Sequence, residues 1–205
     1  NLQALVDQTL PVVAKIMNVP APSHVTTRVV SRAEARKRLL AVLARDYPGD
    51  TLKRLGEALS AVGLVQATDD LAATAHDMYS ENVSGFYDPA EHVLYLLSDQ
   101  PMESQALIVA HELAHAVQDS VLSLDATMKR VRASEDGQLA MAAAIEGQAQ
   151  QVASLVMAQQ LAESMGDGAH QVADMLAEGT AGSASIAAIL SSTSALGNAM
   201  VSLIV

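Results

Sequence analysis

The stretch Ala106-Leu107-Ile108-Val109-Ala110-His111-Glu112-Leu113-Ala114-His115-Ala116-Val117 restricts this chain more than any other part of it. Its apolar residues are too continuous for a surface helix, so a helix from about Met102 to Val121 has to lie largely buried. Burial takes two imidazoles and a carboxylate into the interior. His111 and His115, four residues apart, leave the same face of such a helix. Without a partner, a buried His-Glu-His loses its hydration uncompensated. A metal ion removes the difficulty. Both imidazoles can chelate one zinc ion while Glu112, on the adjacent turn, reaches a water on it. Zinc lowers the pKa of such a water to about 7, and a nearby carboxylate can take its proton as it attacks a carbonyl. The plainer reading, two surface histidines on an acidic helix, conflicts with the apolar neighbours.

The chain has no cysteine, so disulfides and thiolate ligands are excluded and a third zinc ligand has to be His, Asp or Glu. Two glutamates are candidates. Glu135 follows His115 by twenty residues but lies in the polar run Arg132-Ala133-Ser134-Glu135-Asp136-Gly137, where favourable interaction with a helix N-terminus accounts for it. Glu146 follows by 31 residues and is the one charged side chain between Gly137 and Leu161. A carboxylate alone in an apolar helix requires a partner. Gly147 and Ala143 beside it are small enough for a close approach to the HELAH helix. Burial therefore selects Glu146.

Half of the 205 residues are apolar, yet only five are aromatic. Closely packed helices fit that better than an aromatic-rich sandwich. Residues 55–128 carry twelve acidic side chains and no Lys or Arg. Such a balance gives a solvated acidic face or a cleft that attracts basic ligands. Sparse basic groups without interleaved aromatics exclude a nucleic-acid footprint.

Apolar spacing predicts a helix over residues 2–18 interrupted by Pro11, then a short β-branched strand at His24–Val30. Ser31 with Glu34 forms a capping box for a helix to about Asp46. Thr51 caps another helix to near Gly63, and Asp69 or Asp70 a third to about Tyr79. Ser84–Asp88 and His92–Leu97 flank the turn Asp88-Pro89-Ala90-Glu91 and read as a β-hairpin. A second long helix runs from about Gly137 to Ala162, with a further one between Ala169 and Ala177. Residues 179–205 contain no charge, but Gly, Ser, Thr and Asn interrupt them. A packed helical hairpin, or a segment awaiting partner sequence, fits better than a membrane span, so membrane association is not expected.

The order GFYDP (Gly85–Pro89), HELAHAVQD (His111–Asp119) and Ala144-Ile145-Glu146-Gly147 resembles a group of bacterial metallopeptidases that carry such a hairpin before HELxHAxQD and an ALVEG-like segment. More broadly, the pattern resembles the gluzincin branch of zinc metallopeptidases. The likeness spans roughly residues 80–160. It implies His111, His115 and Glu146 as zinc ligands, Glu112 as the catalytic carboxylate, and a peptide or protein substrate. It also implies that the hairpin strand Val93–Leu97 borders the cleft, where an extended substrate could add as a further strand.

The expected fold is α+β and zincin-like, mainly helical, with a small sheet of two to four strands beside the HELAH helix, in one domain over residues 1–205. Further sequence is expected beyond the uncapped apolar end at Val205. The start at Asn1 points to an upstream segment removed, which favours an extracytoplasmic location. Asp119 offers a second carboxylate behind the ligands or a solvated one, and Tyr87 or Tyr95 a donor to an oxyanion or packing. His76, His92 and His170 read as surface or satisfied core residues, and Met128, Met141, Met157 and Met175 as core filler. A zinc-containing peptide-binding protein without turnover and a purely helical interaction module are the alternatives.

Overall fold

A computed structural model describes residues 1–47, 49–66, 70, 71, 73, 74, 83–132 and 134–165. Among them the order is α1 (Leu2–Met17), β1 (Thr26–Val30), α2 (Arg32–Asp46), α3 (Thr51–Ala61), β2 (Gly85–Asp88), β3 (Val93–Leu97), α4 (Met102–Leu122), α5 (Leu124–Val131) and α6 (Glu135–Met165). The fold is α+β and mostly helical, with one three-stranded sheet. The expected helix from Asp69 or Asp70 to Tyr79 lies mostly outside the described residues, although Asp70 Oδ1 accepts the Ala73 N–H at 3.1 Å as a cap would. The expected helix at Ala169–Ala177 and the uncharged stretch 179–205 lie wholly outside them. No helix among the described residues is long and apolar enough to cross a membrane.

Local chemistry accounts for the boundaries. The Ser31 hydroxyl accepts the Glu34 N–H at 3.2 Å and opens α2. Asp88 Oδ1 accepts the N–H groups of Ala90 and Glu91, closing the turn between β2 and β3. Pro11 does not interrupt α1, which runs through it. Proline removes one helical hydrogen bond, and here it sits on the exposed side of the helix, where water can serve the freed carbonyl.

The sheet order is β1-β3-β2, with β1 parallel and β2 antiparallel to β3. All five residues of β3 are buried, as in strands covered on both faces. Alternation decides which side chain goes where. Phe86, Val93, Tyr95 and Leu97 pack with Ala35, Leu39 and Leu43 of α2. Tyr87 and Leu94 join the core shared by α1, α4 and α6. The central position of β3 corrects the expectation that this strand borders the cleft. β1 occupies its other edge, so β2 is the strand that lies beside the HELAH helix with an outer edge unpaired among the described residues.

Two close approaches set the site. Along α6 the side chains that meet α4 are Ala149, Val152, Ala153 and Val156, with Ala142 buried on the same side. Gly147 and Ala143 were expected there. Instead both are exposed, and a methyl group on Gly147 would meet nothing within 4 Å. The glycine that matters is Gly85, at the start of β2. A Cβ there would lie 2.7 Å from Ile108 Cγ2 and 2.9 Å from the Tyr95 carbonyl oxygen. Gly85→Ala is therefore expected to lower the unfolding free energy by about 1–3 kcal/mol, the usual cost of overpacking. Urea denaturation measures this, and an unchanged midpoint would contradict the close contact.

Candidate metal centre

Helix α4 turns His111 and His115 to one side, and α6 brings Glu146 to meet them. His111 Nε2 lies 3.1 Å from His115 Nε2 and 3.2 Å from Glu146 Oε2. His115 Nε2 lies 3.4 Å from Glu146 Oε1. Each imidazole nitrogen thus faces a different oxygen of the one carboxylate, and the spacings in this triangle are close to the roughly 3.3–3.6 Å that separates donors held about 2.0–2.2 Å from a tetrahedral ion. His111, His115 and Glu146 could hold a metal ion, and they are the one such group among the described residues. The donor set is borderline to hard, two imidazoles and a carboxylate, which suits zinc and other first-row divalent ions.

The metal-free electrostatics agree with that capacity. Burial alone would drive protons off His115, but hydrogen bonding to Glu146 and the charges of Glu146 and Glu112 raise it to about 9. Burial works against ionisation of Glu146 too, yet the two imidazoles bring it down to about 2. A pocket that binds a proton so firmly between these groups offers the same field to a divalent cation.

Glu112 sits one residue along from His111, only 6 % exposed. Its Oε2 is buried with no hydrogen-bond partner. Burial pushes its carboxyl up from the usual range, moderated by the charges on His111 and His115 and by the Tyr87 backbone N–H that hydrogen-bonds it. A buried carboxylate oxygen without a partner is uncommon in a folded chain and asks for a role. Gly85 packs beside it, at a distance where a Cβ would stand in ordinary contact, 3.7 Å, with Glu112 Cγ.

Glu135 is the first residue of α6. Eleven residues ahead of Glu146, its backbone stands about 16 Å away along the helix axis at 1.5 Å per residue.

Asp119 does not reach either histidine of the triangle. Its buried carboxylate accepts the Tyr87 hydroxyl at 2.8 Å, His92 Nδ1 at 2.7 Å and the Leu124 N–H at 2.8 Å. It thus fastens the hairpin and the start of α5 to the end of α4. His92 is exposed at the surface with this one buried carboxylate behind it. The Tyr87 phenol, pushed far up by burial and then by Asp119, stays protonated. Tyr95 lies on the opposite face of the sheet, stacked on Phe86 at 4.7 Å and hydrogen-bonded to Glu91, and is not part of the site.

Sequence reasoning missed Gln118, which is 1 % exposed. Its Oε1 lies 2.9 Å from His115 Nδ1, and its Nε2 donates to the Ile145 carbonyl and to Gln148 Oε1, both at 2.9 Å. The available signal was an amide three residues after His115, next to Val117 on a helix expected to be buried. It also placed Met128 in the core. Instead Met128 lines an open cleft with Tyr87, Leu124, Ile145, His115 and Glu146.

A model of the family described as "Putative metallopeptidase family (DUF6782)" matches residues 41–199, which takes in the whole triangle, Glu112 and the hairpin. α1 and β1 precede the matched region. No curated protein and no solved structure matches the chain.

Proposed function

We propose that this chain, which belongs to that metallopeptidase family, is a zinc peptidase of the gluzincin type with a zincin-like fold. In this reading His111, His115 and Glu146 hold the metal and Glu112 is the general base. One observation carries it. Two imidazole nitrogens 3.1 Å apart each face an oxygen of the Glu146 carboxylate, at 3.2 and 3.4 Å, on one side of α4, and a buried carboxylate oxygen without a partner follows directly on that helix.

Bound zinc supplies Lewis acidity at a substrate carbonyl and makes water acidic near neutral pH. Glu112 does the proton work. The water's oxygen forms a bond to the scissile carbonyl carbon while its proton passes to the free Oε2. Glu112 then delivers that proton to the amide nitrogen as the C–N bond breaks. Its proton affinity, raised by burial, suits it to accept a proton from such a water. Apart from the Tyr87 N–H that meets Glu112, the outer edge of β2 offers main-chain hydrogen bonds to an extended peptide. Beside it, the cleft walled by Tyr87, Leu124, Met128 and Ile145 takes an uncharged, apolar side chain next to the scissile bond.

Metal analysis of the purified chain together with cleavage of a random peptide library tests the reading. One zinc per chain and chelator-sensitive cleavage are expected. Zinc without cleavage would favour a zinc-containing peptide-binding protein, and absence of zinc would end both.

Zinc uptake is expected to depend on pH in a defined direction. At pH 7 the metal-free chain keeps a proton on His115, whose pKa is raised to about 9. That proton has to leave when the imidazole binds a cation. Apparent affinity should therefore rise by roughly tenfold per unit from about pH 7 to 9 and level off above. Glu146, already ionised above about 2, adds no slope in this window. A competition titration against a chelator of known pH dependence reads the slope, and a flat profile would contradict it.

A further inference from the structure

We infer that Gln118 is the positioning residue of the metal centre, setting His115 and Glu146 together through the two ends of one buried amide. The inference rests on the reading of His111, His115 and Glu146 as metal ligands, and says what makes that ligand set a single unit.

The hydrogen bonds fix which way the amide points. Its nitrogen has two hydrogens, and two acceptors stand at 2.9 Å, the Ile145 carbonyl and Gln148 Oε1. Turned over, the amide would press its oxygen against the Ile145 carbonyl, which cannot donate. The oxygen therefore faces His115 Nδ1 at 2.9 Å. An amide oxygen only accepts, so His115 carries its proton on Nδ1. Nε2 is then the atom free to donate its lone pair, and it is the atom that faces His111 Nε2 and Glu146 Oε1.

The other end of the amide acts on α6. Ile145 directly precedes Glu146, and its carbonyl is bonded to Gln118 rather than left to the helix alone. One side chain thereby sets the ring tautomer of one ligand and the height of the backbone that carries another. Supporting partners of ligating histidines are commonly carboxylates or backbone carbonyls, and their loss typically costs 10–100-fold in metal affinity. A neutral amide fills the role here with a consequence of its own. It adds no charge to a centre that already holds two carboxylates, and its second end is left over to grip α6.

Zinc affinity of the whole chain, measured by chelator competition, tests the assignment together with the metal-free Tm. Gln118→Leu removes both ends and is expected to weaken zinc by about 10–100-fold. Gln118→Glu keeps an oxygen for His115 and, protonated, a donor for Ile145, so it should bind within about threefold of wild type. Gln148→Ala leaves both key bonds and should also stay within about threefold, whatever happens to the metal-free Tm. Equal losses in Gln118→Leu and Gln118→Glu, or no loss in Gln118→Leu, overturn the assignment. If Gln118→Leu does not fold, nitrogen NMR of the zinc-loaded wild type decides. A protonated Nδ1 and a metal-bound Nε2 on His115 are expected, and the reverse overturns it. A wild-type chain that binds no zinc overturns the ligand set itself, an outcome separate from any ranking of the variants.

Discussion

Glu112→Gln is expected to leave zinc content unchanged while peptide hydrolysis falls by roughly 10²–10⁴-fold, the range for loss of a positioned general base. At about 1.4 kcal/mol per decade this corresponds to about 3–5 kcal/mol of barrier. The substitution isolates proton transfer because Glu112 is not one of the three converging donors. The amide keeps the shape of the carboxyl, but it cannot take a proton from water. Removing a raised carboxylate from a fully buried position also relieves a desolvation cost. The variant should therefore be at least as stable as wild type in thermal melts. Hydrolysis within threefold of wild type would remove Glu112 from the mechanism. Loss of zinc from the variant would show that it acts through the metal site instead.

Glu146→Gln should have the second large effect, on metal affinity rather than turnover. It exchanges a charged donor for a neutral one at the corner of the triangle, 3.2 Å from His111 Nε2 and 3.4 Å from His115 Nε2. The zinc dissociation constant is expected to rise by more than the roughly 100-fold that marks loss of a supporting group. Glu135→Gln, which alters the other glutamate at sequence-compatible spacing, should leave it unchanged. Parallel titrations of the two variants separate the candidates, and reversal of that order would move the third ligand to the start of α6.

How legible these features were in the sequence depended on the kind of information each requires. Spacing within one helix was sufficient for His111, Glu112 and His115, because helical period and apolar flanks fix both their common face and their burial. Glu146 was legible as a charge with no local excuse. The packing around it was misjudged at Gly147 and Ala143 because smallness was weighed without phase. Ala142 and Ala149 stand four before and three after Glu146 and share its face, whereas Gly147 is one residue on and points elsewhere. The two tyrosines differ by the same logic in a strand. Phe86 is paired with Tyr95 and Tyr87 with Leu94, so one step of parity sends Tyr95 to α2 and Tyr87 to the metal helix.

Partner choice between distant segments was not legible. A short strand at His24–Val30 was expected and forms at Thr26–Val30, but nothing local says that it would pair in parallel with β3 and leave β2 at the edge. Gln118 was equally hidden. A neutral amide carries no charge to betray its burial, and its partners lie on another helix 27 and 30 residues away.

Tyr87 holds Glu112 with its backbone and lines the cleft with its side chain. The N–H is common to every residue but proline, whereas the phenol also donates to the buried Asp119 that clasps the hairpin to α4. Selectivity in the proposed enzyme can therefore be redesigned at this position, or can drift over evolutionary time, only as far as that clasp survives. Tyr87→Phe would keep the wall of the cleft and give up the clasp, and a wider library at position 87 would reshape the cleft at the expense of the hairpin's anchorage.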